Sequence, residues 1–292
     1  MPKTLRLLFL LFFLGITVGR APGEETTGKV WFITGSSSGF GLAFTRAALE
    51  RGDGVAATAL DPEVHDELKK KYGAKVLPLR LDVTKRDEIA KAVAEATRHF
   101  GRLDVVINNA GFGQFGMIEE FSEEEFRKQL ETNLFGSFNV IQGVLPVLRE
   151  QQSGHLIQVS SLAGVVTMPM LGAYSASKWG VEGLCETLAM EVAPLGIKVS
   201  IIEPGPFKTG FTKAARVVEK RIEAYAAQTE AFHRNLEQAE FEDPAKVVNV
   251  VLKLVDAKEP PLRVLVGKGT VETVEKVYQK RLETWREWKD RP

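Results

Sequence analysis

The sequence predicts an α/β fold in a single domain: a doubly wound, seven-stranded parallel sheet with helices on both faces. Apolar runs at 29–34, 55–60, 75–81, 103–107, 155–160, 198–203 and 262–266 alternate with helical stretches. Such alternation implies right-handed crossovers between parallel strands. A glycine-rich turn follows the first run, at the place where such sheets bind ligands. With 292 residues and 44% apolar composition, the chain can bury one large core, and α/β sheets of this size commonly stay undivided.

The chain opens on a hydrophobic leader and spacer, 1–27. Lys3 and Arg6 precede the apolar run Leu7–Ile16, and Gly19-Arg20-Ala21-Pro22 begins a polar stretch, a signal-like pattern. The run falls short of the roughly 20 apolar residues that span a bilayer, although Thr17 and Val18 extend it, and it lacks a clean Ala-x-Ala cleavage site. Export, a weak membrane tether through residues 5–18 and an extension without function are all compatible with it. A cytoplasmic and a membrane-associated location are therefore both open.

Lys29–Thr34 has the pattern of a short buried strand. Gly35-Ser36-Ser37-Ser38-Gly39-Phe40-Gly41 follows and opens a helix through Leu42, Phe44, Ala47, Ala48 and Leu49. Glycine permits a sharp turn and close backbone approach, while the N–H groups and dipole of the helix start favour a pyrophosphate. The spacing, Thr-Gly-x-x-x-Gly-x-Gly, departs from the Gly-x-Gly-x-x-Gly form usual in dinucleotide-binding domains. The second strand ends in Ala57-Thr58-Ala59-Leu60-Asp61, and the third is followed by Asp82 and Val83. Leu103–Ile107 leads into Asn108-Asn109-Ala110-Gly111, beyond the carboxyl end of a strand, where a parallel sheet holds ligands; asparagine there serves equally to satisfy backbone groups.

Farther along, Tyr174-Ser175-Ala176-Ser177-Lys178 sets a tyrosine and a lysine one turn apart on a helical face. A free tyrosine hydroxyl has a pKa of about 10. An ammonium that stabilises the phenolate brings it toward working pH, so the pair has the makings of an acid–base centre. Alone, Tyr-x-x-x-Lys is a spacing that any amphipathic helix can carry. Val199–Glu203 forms the next strand, and Pro204-Gly205-Pro206-Phe207-Lys208-Thr209 the turn after it.

Together Thr34–Gly41, Asn108-Asn109-Ala110-Gly111, Asn133, Ser161, Tyr174, Lys178 and Pro204-Gly205 resemble the short-chain dehydrogenase/reductases, over roughly Lys29–Gly267. The resemblance implies a Rossmann fold and hydride exchange between NAD or NADP and a secondary alcohol or ketone, or a lipophilic primary alcohol or aldehyde. Tyr174 is then the general acid in reduction and the base in oxidation. Lys178 lowers its pKa and holds the nicotinamide ribose. Ser161, rather than Ser160, donates to the substrate oxygen. Asn133 anchors a water linking Lys178 to solvent, with an ordinary helix-packing amide as the alternative reading.

By the same resemblance the cofactor meets Gly35, Ser37, Ser38, Gly39, Phe40 and Gly41 in the glycine turn, and Leu60 and Asp61 at the adenosine ribose. Asp82 and Val83 lie at the adenine. Asn109, Ala110 and Gly111 line the adenosine side, with Asn108 partly structural, and Pro204, Gly205 and Phe207 surround the nicotinamide. Thr209 is a phosphate or amide contact, and Tyr174 and Lys178 touch the cofactor as well. Family members using NADP often carry Arg or Lys at the positions of Ser38 and Leu60. The Asp61 carboxylate repels a 2′-phosphate and can accept from a free 2′-hydroxyl, which favours NAD over NADP, although the aspartate usual in NAD-specific members aligns nearer Ala59. A dinucleotide-binding sensor without chemistry is the competing function, but it would ordinarily have lost the tyrosine or the lysine.

In the substrate loop 206–242, Phe207, Phe211, Val217, Val218, Ile222, Tyr225, Phe232, Leu236 and Phe241 recur at helical spacing. In the family such a segment closes over the substrate, and its apolar content points to a lipophilic ketone or alcohol; a helix packing on the core fits equally. Val165, Met168, Met170 and Leu171 are expected in the same pocket wall. Glu182–Glu186 and Ile201–Pro206 look most like the 17β-hydroxysteroid and retinol dehydrogenase branch. After the domain 28–270, the tail 271–292 carries Val271, Val274, Val277, Tyr278, Leu282, Trp285 and Trp288 as an amphipathic helix. It is expected to dock on its own domain, with a subunit contact or pocket cover as alternatives. Family members commonly pair through the helices carrying Asn133 and Tyr174, which implies a homodimer or homotetramer.

Several classes are disfavoured. The 38 basic and 38 acidic residues balance, so nothing suggests a polyanion, and nucleic acid is not expected as a partner. Cys185 is the one cysteine, which rules out an intrachain disulfide, and His65, His99, His155 and His233 lack ligand spacing; no metal is predicted.

Overall fold

In the computed structural model, which describes residues 28–211, 215–289 and 291, the seven apolar runs become strands within a residue or two of their expected bounds. The leader, with its signal-like or tethering roles, lies outside the described residues. In chain order the strands are β1 (Val30–Ile33), β2 (Gly54–Ala59), β3 (Val76–Arg80), β4 (Val105–Asn108), β5 (Gln114–Phe115), β6 (Gly154–Val159), β7 (Ile197–Pro204), β8 (Arg216–Val217) and β9 (Arg263–Val266). The main sheet runs β3-β2-β1-β4-β6-β7-β9 and is parallel throughout. β5 and β8 form a separate two-stranded pair.

The strands read as continuous apolar runs because both faces are covered. Val30 and Phe32 point into one layer with residues of α3 (Arg86–Phe100), α5 (Gly136–Gln151) and α6 (Gly172–Val192). Trp31 and Ile33 point into the other with α1 (Gly39–Glu50) and α8 (Ala245–Asp256). The remaining helices are α2 (Asp66–Tyr72), α4 (Glu123–Leu130), α7 (Ala226–Gln238) and α9 (Thr270–Trp288). Asp53 fixes the amino end of the sheet by accepting from Lys29 N at 3.0 Å and Trp31 Nε1 at 2.9 Å. Strand order reverses between β1 and β4, and the crevice beyond their carboxyl ends is the position this topology leaves for a ligand.

The tail helix α9 docks on its own domain, but not through the aromatic face that its sequence suggests. Arg281 stacks over Trp179 of α6 at 5.1 Å and over Tyr278 at 4.8 Å, and donates to Val165 O at 3.4 Å. Trp285 and Trp288 stay about three-fifths exposed, at 61% and 60%. Among the described residues no helix is long and apolar enough to cross a membrane.

Phe32 is wholly buried at the centre of the sheet. Phe32→Ala is expected to lower unfolding stability by about 3–5 kcal/mol, read from urea midpoints; a loss below about 1 kcal/mol would contradict the packing described.

Candidate active site

The glycine turn is held from below by β4. Thr34 Oγ1 accepts from Asn109 N at 2.9 Å and Ala110 N at 3.0 Å, and the Asn109 carboxamide donates to Thr34 O at 2.9 Å and Gly35 O at 3.1 Å. Asn109 is thus committed to the backbone, and Asn108 likewise donates to Ser137 O at 3.0 Å. A Cβ on Gly41 would lie 2.2 Å from Gly35 O, so only glycine lets the first turn of α1 fold against the start of the loop. Gly41 therefore shapes the turn from behind, whereas Gly35, Ser37, Ser38, Gly39 and Phe40 line the cleft. Ser38 is the N-cap of α1 without a side-chain cap bond, leaving the first-turn N–H groups facing the ligand side.

Two residues that sequence reasoning passed over brace this turn. Ser36 Oγ gives its one proton to Thr58 O at 2.9 Å and so accepts from His65 Nε2 at 2.9 Å, which assigns the Nε2–H tautomer. Burial holds His65 below its usual pKa, in keeping with a neutral ring. Nothing in the spacing of Ser36 and His65 signals the contact.

At the adenosine end, Leu60 is exposed, and Asp61 Oδ1 accepts from Glu63 N at 3.1 Å, capping the short turn Pro62–His65. Asp82 Oδ1 accepts from Thr84 N at 2.9 Å and Thr84 Oγ1 at 2.8 Å. Leu60, Asp61, Asp82 and Val83 all line the cleft. A cation also stands here: Arg80, in register with Ala59 across β2 and β3, donates to Leu60 O at 2.9 Å. Only strand pairing brings it beside the second strand's end.

The chemical end of the cleft gathers Ser161, Tyr174 and Lys178 beside Pro204, Gly205, Phe207 and Thr209, with Ala110 and Gly111 opposite. Tyr174 and Lys178 are buried on α6. Lys178 Nζ donates to Val159 O at 2.9 Å and sits 5.6 Å from the Tyr174 ring centroid. Ser161 Oγ accepts from Ala163 N at 3.1 Å and faces the phenol. The expectation that Lys178 draws the phenol toward neutrality does not hold in this arrangement. Burial pushes Tyr174 up to about 12, opposed by the Ser161 hydroxyl. Burial also pushes Lys178 down to about 8, opposed chiefly by Glu182. Desolvation outweighs the pairing.

Asn133 lies in a π-helical turn, Glu131–Phe135, a distortion frequent at functional sites. It does not line the cleft. Its Oδ1 accepts from Phe112 N at 3.0 Å, and its Nδ2 donates to Phe112 O at 2.9 Å and Ser177 Oγ at 3.2 Å. The packing role is the one these contacts describe.

The whole cleft measures about 2210 Å³. Its substrate side is walled by Phe211, Phe232, Leu236, Phe241, Met168 and Leu171; Phe211 meets Tyr174 at 5.5 Å between centroids. Other expected wall residues are placed elsewhere. Val165 and Met170 turn into the core, Val217 is half-exposed and Val218 packs on Gly116, whereas Phe207 stays at the chemical end of the cleft, edge-on to Phe40 at 5.7 Å. Ile222 and Tyr225 belong to a latch: Ile222 N donates to Glu120 Oε1 at 3.0 Å, Arg221 to Glu120 Oε2 at 3.2 Å and Tyr225 OH to Glu119 at 2.7 Å. Burial pushes Glu120 up, but the N–H groups of Ile222 and Met117 and the Arg221 cation outweigh it and hold the carboxyl below its usual range. With β5 pairing β8, this latch clamps the substrate segment over the site.

Residues 29–220 match the family model for short chain dehydrogenases. The oxidoreductase BOA17 of Botryotinia fuckeliana is 45% identical over 89% of this chain and 97% of its own length. The 3-ketodihydrosphingosine reductase of Bacteroides thetaiotaomicron is 39% identical over 82% of this chain and 88% of its own. A short-chain dehydrogenase from Streptomyces avermitilis superposes with a TM-score of 0.84 at 38% identity, covering 90% of this chain and 97% of that one. A short chain dehydrogenase/reductase from Burkholderia phymatum, solved with NAD, gives 0.76 at 25% identity, covering 89% and 96%.

Because Glu120 is held ionised by the segment it grips, the latch is intact above the ordinary glutamate pKa and is lost as pH falls through the depressed folded value. Glu120→Ala is expected to speed hydrogen exchange of amides 216–225 by about tenfold or more, the equivalent of roughly 1–3 kcal/mol, while amides of the main sheet keep their rates. Equal acceleration of both would disprove a local latch.

Proposed function

The chain belongs to the short-chain dehydrogenase family, and from that premise we propose that it interconverts a lipophilic ketone and secondary alcohol, or an aldehyde and primary alcohol, with Tyr174 moving the proton. It is an NAD(P)-dependent oxidoreductase acting on CH–OH groups. The observation that carries the finer reading is the meeting of Ser161, Tyr174 and Lys178 at the cleft end bounded by Pro204 and Gly205, against an aromatic wall.

The bound nicotinamide supplies the hydride acceptor or donor. Ser161 donates to the substrate oxygen and stabilises charge as it develops. In reduction Tyr174, fully protonated at neutral pH, delivers its proton to that oxygen, which as an alkoxide is the stronger base. In oxidation the phenolate takes the proton back, favoured by the Ser161 dipole and the Lys178 charge. Phe211 and Phe232 exclude water from the exchange. Asn133, bonded to Phe112 N and O, holds the loop that carries Gly111 along the cleft.

The aromatic wall supports a lipophilic substrate, whether steroid-, retinoid- or long-chain-like. The relative named for 3-ketodihydrosphingosine is consistent with that class. For the cofactor we favour NAD: no cation occupies Ser38 or Leu60, and Asp61 stands at the cleft. Arg80 is the one feature pulling toward NADP, and its guanidinium is engaged by Leu60 O. Assembly as a homodimer or homotetramer, through the helices carrying Asn133 and Tyr174, rests on the family resemblance.

Three measurements test this. With NADH or NADPH and a panel of lipophilic ketones, Tyr174→Phe is expected to lose turnover by about 10²–10⁴-fold while binding of reduced cofactor persists; unchanged turnover removes the assigned role. The kcat/KM for reduction is expected to hold through neutral pH and decline as pH rises through about 8, where Lys178 loses its charge. Asp61→Ala is expected to weaken NAD binding more than NADP binding, and an equal effect on both removes the basis for the preference.

A further inference from the structure

The helix that carries Tyr174 and Lys178 continues the same four-residue step to Glu182 and Glu186, so all four side chains share one face. Three of them meet successive residues at the end of β6. Lys178 binds Val159 O, Glu182 faces Ser160, and Tyr174 faces Ser161. Glu182 is almost wholly buried, as are Ser160 and Glu203 of β7. A Cβ on Gly164 would come to 2.6 Å from Ser160 Oγ and 3.0 Å from Glu182 Oε1; only glycine there allows the carboxylate and the hydroxyl to approach the strand end together. Neither atom reaches hydrogen-bond geometry with a partner, so the pull of the hydroxyl on the carboxylate is a dipole effect rather than a formed bond.

Arg263 of β9 fixes the other Glu182 oxygen. Its guanidinium pairs with Glu182, with Glu203 at 3.2 Å and with Glu186 at 2.6 Å. Charges therefore alternate from the site outward: the Lys178 ammonium, the Glu182 carboxylate, the Arg263 guanidinium and the outer carboxylates. Burying a charge without a partner is costly, and among the described residues buried Lys178 makes one hydrogen bond, to a neutral carbonyl. The nearest anion on its own face is Glu182.

We propose that Glu182 is a positioning residue for the redox chemistry: clamped by Arg263 one turn beyond Lys178, its carboxylate holds the Lys178 ammonium charged beside the phenol. The proposal rests on the dehydrogenase reading above. Glu182 acts through Lys178 and touches neither cofactor nor substrate. The other charged or titratable groups facing this cluster are Tyr174, Cys185 and Glu186 of α6, Glu203 of β7 and Arg263 of β9. Burial pushes the Cys185 thiol up to about 12, so it stays neutral. Burial and the like charge of Glu203 push Glu182 up to about 7, against the pull of Ser160 and Arg263. Paired with Arg263, Glu182 opposes the fall that burial imposes on Lys178.

The sign of the test follows. Removing the Glu182 charge lowers the Lys178 pKa, so the ammonium is lost at lower pH. The readout is the alkaline midpoint for binding of NADH or NADPH, followed by nicotinamide fluorescence, together with the alkaline limb of kcat/KM for reduction. Glu182→Gln is expected to shift both downward by about one pH unit, with the fold retained by circular dichroism because Arg263 keeps two carboxylates. Should the amide not be tolerated, Glu182→Met fills the volume without a polar atom and carries the same expectation. Glu203→Gln removes the other buried carboxylate on Arg263 and is expected to leave the alkaline midpoint in place. An unmoved midpoint in a folded Glu182 variant overturns the proposal, as does an equal shift in Glu203→Gln, which would make the summed charge responsible. Failure of the unsubstituted protein to bind either reduced cofactor sinks the dehydrogenase reading itself, a distinct outcome.

Discussion

The Asn109 carboxamide, spanning Thr34 O and Gly35 O, is the bond on which the rest of the site depends. It ties the end of β4 to the end of β1, the two central strands between which the sheet reverses direction. With Thr34 Oγ1 accepting from two successive N–H groups on the other side, the crevice acquires a fixed floor. The glycine turn, braced laterally by Ser36 and His65, then holds its open N–H groups at a set distance from the loop that Asn133 secures through Phe112. Polar side chains that look like ligand contacts in a sequence are here consumed in making the backbone rigid, and the backbone is what remains to meet the ligand. This suits an anionic pyrophosphate, which is well bound by oriented N–H groups.

The chemical end is governed by the opposite problem. Burial of the site raises the phenol and lowers the amine, so the same burial that excludes water works against charge on either group. The molecule answers with fixed dipoles and remote countercharge rather than with solvent. The Ser161 hydroxyl opposes the shift on Tyr174, and a carboxylate held by Arg263 opposes the one on Lys178.

Much of this was legible from the residues alone. The strands were readable because both-face burial writes continuous apolar runs, and the pairing of Tyr174 with Lys178 because one helical turn separates them. What escaped notice depends on pairing between distant segments. Arg80 reaches Leu60 only through the β2–β3 register, and Arg263 reaches Glu182 across 81 positions. The β5–β8 pair is two residues long on each side, too short for any periodicity. Helical spacing in 206–242 marked an apolar segment but could not say which side chains face the cleft, since Ile222 and Tyr225 serve the latch instead. The aromatic pattern of the tail predicted a packed helix, and the helix is there, but an arginine holds it.

The manner in which the substrate segment is attached bears on how such a molecule can diverge. The β5–β8 pairing, the buried Glu120 carboxylate and the bond from Tyr225 to Glu119 join residues 216–225 to the scaffold. Change within 216–225 therefore leaves Phe207 and Thr209 at the cleft, and Phe211 against Tyr174, in place. Selection can alter that stretch without renegotiating the redox apparatus, a separation that makes the architecture readily evolvable.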